Sequence, residues 1–103
     1  MDILTLNANV DNWIHVQPYN MGICFVIDPS DAFVVQQALK YKELILKSIL
    51  LTHHHYDHTA GILELKKRFS CVVYSPDPKR IPNTDYPVYD NQSIEFGDWR
   101  IRV

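Results

Sequence analysis

Four of the chain's five histidines fall within six residues, in the stretch Thr52-His53-His54-His55-Tyr56-Asp57-His58-Thr59-Ala60-Gly61, and an aspartate precedes the last of them. In an extended segment alternate side chains point the same way, so His53 and His55 can converge on one ion while His54 points away. Where the chain then turns into a helix, Asp57 and His58 are presented from the turn and reach a second ion close by. Neutral imidazole with carboxylate suits zinc and also iron or manganese, so the ligand types alone do not choose the metal. Two ions in one open site point to hydrolysis, because together they lower the pKa of a shared water to about 7 and polarise the carbonyl or phosphoryl group it attacks. An affinity tag does not fit, since these histidines are internal, are interrupted by Tyr56 and Asp57, and are flanked by structured patterns.

Elements able to position such a cluster stand on both sides of it. Ser48 to Leu51 reads as a buried strand delivering the histidines. A helix beginning near Asp57 to Ala60 and running to about Phe69 carries Ile62, Leu65 and Phe69 as one apolar stripe, with Glu64, Lys66, Lys67 and Arg68 on its solvated side. Upstream, Ile3, Leu4 and Leu6, then Trp13 to Val16, then the nearly all-apolar Ile23 to Ile27 predict a three-stranded meander, with a turn marked by Pro18, Asn20 and Gly22. Asp28-Pro29-Ser30-Asp31 is a helix-start signal. After it Val34, Val35, Ala38, Leu39 and Tyr41 recur at helical spacing, opposite Gln36, Gln37, Lys40 and Lys42. Cys71 to Tyr74 predicts a strand reached by a right-handed crossover and parallel to that of Ile49 to Leu51. Ser75 to Pro87 holds four of the six prolines and reads as an irregular surface loop, with Lys79 and Arg80 as solvated charges. Ile94 to Phe96, a turn at Gly97-Asp98 and the alternating Trp99 to Val103 follow. The fold class is α/β, a mixed sheet with two helices.

Length and composition bound the function. The 103 residues make at most one domain, and 47% hydrophobic with 21% charged residues is the balance of an ordinary globular chain. A net charge of −2, with basic residues scattered, leaves no nucleic-acid footprint. No apolar run has membrane-spanning length and no basic leader precedes the first strand, so a cytoplasmic protein without a membrane partner is expected. Cys24 and Cys71 lie in strand-like surroundings and read as buried free thiols. His15, off the motif, reads as a core or surface residue.

The string His53-x-His55-x-Asp57-His58 behind a buried strand, with Asp28 at the end of an earlier one, resembles the metallo-β-lactamase superfamily, whose fold is a four-layer αβ/βα sandwich. The fuller Thr52 to Gly61 string, Asp11-Asn12-Trp13, Ile27-Asp28-Pro29, Ile81-Pro82-Asn83 and Ile94 to Gly97 resemble the glyoxalase II (hydroxyacylglutathione hydrolase) branch, and specifically the N-terminal half of such a protein. The resemblance implies that His53 and His55 bind a first metal and that Asp57 and His58 bind a second. Two zinc ions are expected in a complete site, with iron or manganese as substitutes. Asp57 is also the candidate catalytic residue, Asp28 stands beside the site without binding metal, and Tyr56 packs at its edge. The implied reaction is hydrolysis of an acylglutathione thioester such as lactoylglutathione to a hydroxy acid and glutathione.

Residues 1–103 would then be a partial domain. The family's next histidine ligand, in a His-x-Pro-Gly-His segment, its bridging aspartate and its final histidine have no counterpart here. Four ligands shared by two metals fall short of the three protein ligands usual for a catalytic zinc, so weak or no activity is expected of this chain alone. The missing second sheet should leave an apolar face to be covered by self-association or a partner chain. The competing readings are a non-catalytic remnant or interaction module, and, among enzymes, a persulfide dioxygenase-like iron protein or a lactonase.

Overall fold

The computed structural model describes residues 4–7, 13–29, 31–51, 59–76, 78–79, 81, 83–89, 92–97 and 99–102, with backbone alone at 4–7, 13 and 59–60. The chain opens as the expected antiparallel meander: β1 (Leu4–Asn7), β2 (Trp13–Tyr19) and β3 (Ile23–Ile27). Pro18, expected at the turn, lies inside β2 opposite Cys24, and the turn itself is made by Asn20 and Gly22 at positive φ (52° and 79°). From β3 the chain passes through α1 (Ala32–Lys42) to β4 (Ile45–Leu50) and through α2 (Thr59–Phe69) to β5 (Val72–Ser75). The strands β3, β4 and β5 are parallel, as the crossover rule requires.

Local chemistry fixes the ends of α1. The Asp31 carboxylate accepts from the Val34 amide at 3.2 Å, and Glu43, in the left-handed region at φ 55°, donates its own amide back to the last-turn carbonyls of Leu39 and Lys40. Tyr41, assigned to the apolar stripe, is instead 83% exposed. The buried positions Ala32, Val35 and Leu39 follow the helical repeat, which carries Tyr41 off the inner face.

Alternation along the strands separates two cores. Cys24, Val26, Leu46, Ile49, Leu51 and Val73 pack under Val35, Leu39, Ile62 and Leu65 of the helices. Phe25, Leu50 and Tyr19 lie on the other face with Val88, Ile94 and Phe96. A register shift between Cys24 and Phe25 lets β4 carry one extra residue, the exposed Lys47. That bulge is why Leu46 and Ile49, three residues apart, share the helix side.

The loop expected over Ser75 to Pro87 contains a short strand, β6 (Tyr86–Pro87), paired parallel to β5 at the sheet edge. Asp85 creates it. Its amide donates to the Val73 carbonyl, its carboxylate accepts from the Val73 amide at 2.8 Å, and Lys66 of α2 clamps the same carboxylate at 2.7 Å. The sheet therefore runs β1-β2-β3-β4-β5-β6.

Part of the sheet face opposite the helices is covered from within the chain. The hairpin β7 (Ser93–Phe96) and β8 (Trp99–Arg102) forms a separate two-stranded sheet over it, with Phe96 stacked on Phe25 at 4.3 Å and edge-on to Tyr74 at 5.6 Å. Gly97, at φ 59°, makes the turn, and a Cβ there would sit 2.7 Å from the Tyr19 ring. Phe96→Ala is expected to destabilise the fold by roughly 3–5 kcal/mol in urea unfolding, the usual cost of emptying a buried aromatic position.

Cys24 and Cys71 are free and buried, as expected. Burial pushes the Cys24 thiol up to about 12, helped by the Cys71 thiol, and burial pushes Cys71 up to about 11 against the opposing pull of Lys66. The folded state therefore keeps protons that unfolded thiols release near 9.0. Stability should be at its full value below that pH and fall as pH rises from about 9 toward 11 and 12. Urea unfolding across this range checks the sign, and removing both thiols (Cys24→Ala, Cys71→Ala) should flatten the decline.

Candidate metal centre

Parallel strands place their carboxyl ends at one edge, and in open α/β sheets that edge is where ligands bind. Here β3, β4 and β5 end together. On one side of β4 the Asp28 amide donates to the Leu50 carbonyl at 2.9 Å, and on the other the Leu51 amide donates to the Tyr74 carbonyl at 2.9 Å. Both bonds lie immediately before Thr52, so the backbone is held from two sides where it leaves the sheet. Leu50 and Leu51 are buried on opposite faces, which fixes the rotation of the strand as well.

The expected metal ligands His53, His55, Asp57 and His58, together with His54 and Tyr56, fall in residues 52–58 and lie outside the described residues. Their surroundings are described. The chain re-enters as α2 at Thr59, and a Cβ on Gly61 would stand 3.5 Å from that of Ala32. The first turns of α1 and α2 therefore touch at this edge. Three strand ends and two helix starts meet at this edge, and the sequence between Leu51 and Thr59 carries three histidines and an aspartate suited to metal.

Asp28 is brought to this edge as expected. It is half-buried and sits in the left-handed region at φ 52°, a conformation that costs a non-glycine residue about 1–2 kcal/mol and that aspartate tolerates better than most. The bond from its amide to Leu50 sets that conformation, joining the corner after β3 to the last residue of β4. Among the described residues no three His, Cys, Asp or Glu side chains gather into a metal-holding group. A donor set of imidazoles and a carboxylate in residues 52–58, with a second carboxylate residue at the adjoining corner, is chemically that of a zinc site and also admits iron or manganese.

Two further residues reach this edge. His15 pairs with Ile27, the residue before Asp28, and its neighbours Ile14 and Val16 are buried beneath the helices, so half-buried His15 lies on the hairpin side of the sheet. Tyr74 pairs with Leu50 and stacks on Tyr86 at 5.2 Å, while burial pushes its hydroxyl pKa up. Sequence reasoning treated Tyr74 only as a strand residue. Its one signal was a place near the carboxyl end of a strand expected to run parallel to that of Ile49 to Leu51.

The profile of the metallo-beta-lactamase superfamily matches residues 10–100. A hydroxyacylglutathione hydrolase of Aliivibrio fischeri (strain MJ11) is 36% identical over 104 residues, an alignment covering 100% of this chain and 41% of that protein. The chain thus spans less than half the length of the curated relatives it matches. Among solved structures, ETHE1 from Myxococcus xanthus superposes with a TM-score of 0.76 at 16% identity, over 99% of this chain and 47% of that one. The BLEG-1 B3 metallo-beta-lactamase does so with a TM-score of 0.71 at 21% identity, over 98% of this chain and 58% of that one. With the profile covering most of its length and the mixed sheet and paired helices of that fold in place, the chain belongs to the metallo-beta-lactamase superfamily.

Proposed function

We propose that this chain is the metal-binding half of a hydrolase acting on glutathione thioesters, with lactoylglutathione as the model substrate and a hydroxy acid and glutathione as products. The observation that carries this reading is the doubly bonded exit of β4, which ends beside Asp28 at the carboxyl edge of the sheet, one residue before the histidine-rich stretch begins in the sequence. The likeness to hydroxyacylglutathione hydrolases supports the substrate class. His53 and His55 would hold one zinc and Asp57 and His58 another, and bound ions would lower the pKa of water to about 7 and polarise the thioester carbonyl. The chain's own contribution is positional. The Leu50 and Leu51 bonds hold the chain up to the start of the ligand segment, and the Asp28 corner sets a carboxylate residue at the same edge of the sheet.

The fold likeness to ETHE1 supports a second reading, a persulfide dioxygenase-like iron protein, and preferential retention of iron over zinc by the purified chain would favour it. A lactonase shares the same site, and substrate assays separate it. A non-catalytic module that pairs with itself or another chain is the reading outside the enzymes, and a mass measurement showing a monomer would count against it.

Zinc binding measured by calorimetry should weaken at least tenfold in His53→Ala and in His55→Ala, and equal affinity in all three proteins would remove the ligand assignment. Asp28→Gly relieves the φ of 52° while deleting the carboxylate. It should leave the unfolding midpoint near that of the parent and still lower metal affinity by roughly 10–100-fold, the usual cost of losing a group that orients ligands. Lactoylglutathione turnover by these 103 residues alone should be weak or absent. Robust turnover would show that four ligands suffice.

A further inference from the structure

At the opposite end of the helices from the Ala32–Gly61 contact, the later turns of α1 and α2 flank a cleft of about 260 Å³ lined by Gln36, Gln37, Lys40, Arg68 and the apolar Leu39, Leu44 and Phe69. We propose that this cleft binds a small organic carboxylate, its apolar body against Leu39, Leu44 and Phe69 and its oxyanion among Gln36, Lys40 and Arg68. Three observations converge on an anion. No Asp or Glu lines the cleft. Neither Lys40 nor Arg68 enters an ion pair among the described residues, whereas Lys66, one turn from the cleft, is taken by Asp85. And the Gln36 side-chain nitrogen, withdrawn from solvent, has no acceptor among the described residues.

Cations in the last turn of a helix have an ordinary explanation, since they offset the partial negative charge of its carbonyl end. That accounts for Lys40 and Arg68 without any ligand. It does not account for Gln36. A buried amide nitrogen without a partner is a cost that native proteins seldom leave standing, and the terminal torsion of glutamine is broad and soft, so the NH₂ group turns into the cleft without moving the helix. A carboxylate seated there gives that donor its acceptor and the two cations their counter-charge. A guanidinium beside an amide NH₂ also matches the planar two-oxygen geometry of a carboxylate. The volume lies just below the usual range for ligand pockets, roughly 300–1,000 Å³, which selects a small molecule over a cofactor.

Sodium hexanoate and neutral 1-hexanol, titrated into the ¹⁵N-labelled chain, test the proposal. Hexanoate should shift the Gln36 side-chain NH₂ resonances saturably, and 1-hexanol should bind at least tenfold more weakly. Arg68→Gln should weaken hexanoate at least fivefold. Gln36→Leu should do the same while raising the thermal midpoint of the free protein, because the stranded donor is gone. His53→Ala should bind hexanoate like the parent, which separates this site from the metal centre. Absence of a saturable shift, equal binding of 1-hexanol, or unchanged affinity in Arg68→Gln would overturn the proposal. Should Gln36→Leu fail to fold, Arg68→Gln alters only an exposed side chain and still decides.

Discussion

The proposed metal site depends on how β4 ends. A strand that simply ran out into solvent would release its last residues to fray, and ligands on the following turn would have no fixed origin. Here the final carbonyl of β4 and the next amide are each spoken for, one by Asp28 from β3 and the other by Tyr74 from β5. The two bonds come from parallel neighbours, so the position of β4 inside the sheet is the cause. A strand at the edge would have had only one such neighbour.

Holding β4 in that position requires cores on both faces. The helix-side core and the aromatic core beneath the hairpin each use alternate residues of the same strand, Ile49 and Leu51 for one and Leu50 for the other. The bulge at Lys47 sets the phase between them. Ser48 then faces the hairpin side, buried, where its hydroxyl hydrogen-bonds Tyr19, a bond that pulls the Tyr19 pKa down against the larger upward push of burial. The hairpin thereby does more than cover an apolar surface: Phe96 bridges Phe25 of β3 and Tyr74 of β5, the same two strands whose residues hold the exit of β4.

Much of this was legible in the residues. The all-apolar Ile23 to Ile27 declared a strand buried on both faces, Asp31 declared a helix cap, and a strand-helix-strand order implied parallel pairing. What could not be read depended on contacts distant in sequence. Asp85 looks like any loop acid until Val73 and Lys66 are brought to it, and only then does Tyr86–Pro87 become a strand. Pro18 looks like a turn residue, and it is the downstream Asn20 and Gly22 that turn the chain. The alternation of Ile94 to Phe96 announces a strand but not its partner, and only the fold sets Phe96 on Phe25 and Tyr74. Of the candidate site, Asp28 is described, at the corner after β3, while its role and the ligand assignments at His53, His55, Asp57 and His58 rest on residue type, spacing and resemblance.

X-ray absorption of the zinc-loaded chain tests the central claim most directly, because it reads the atoms around the metal without reference to activity. Metal held by residues 52–58 predicts nitrogen and oxygen neighbours at about 2.0–2.1 Å, with the outer-shell pattern of imidazole. A sulfur neighbour at about 2.3 Å would mean that Cys24 or Cys71 holds the metal, and would contradict a centre at the end of β4.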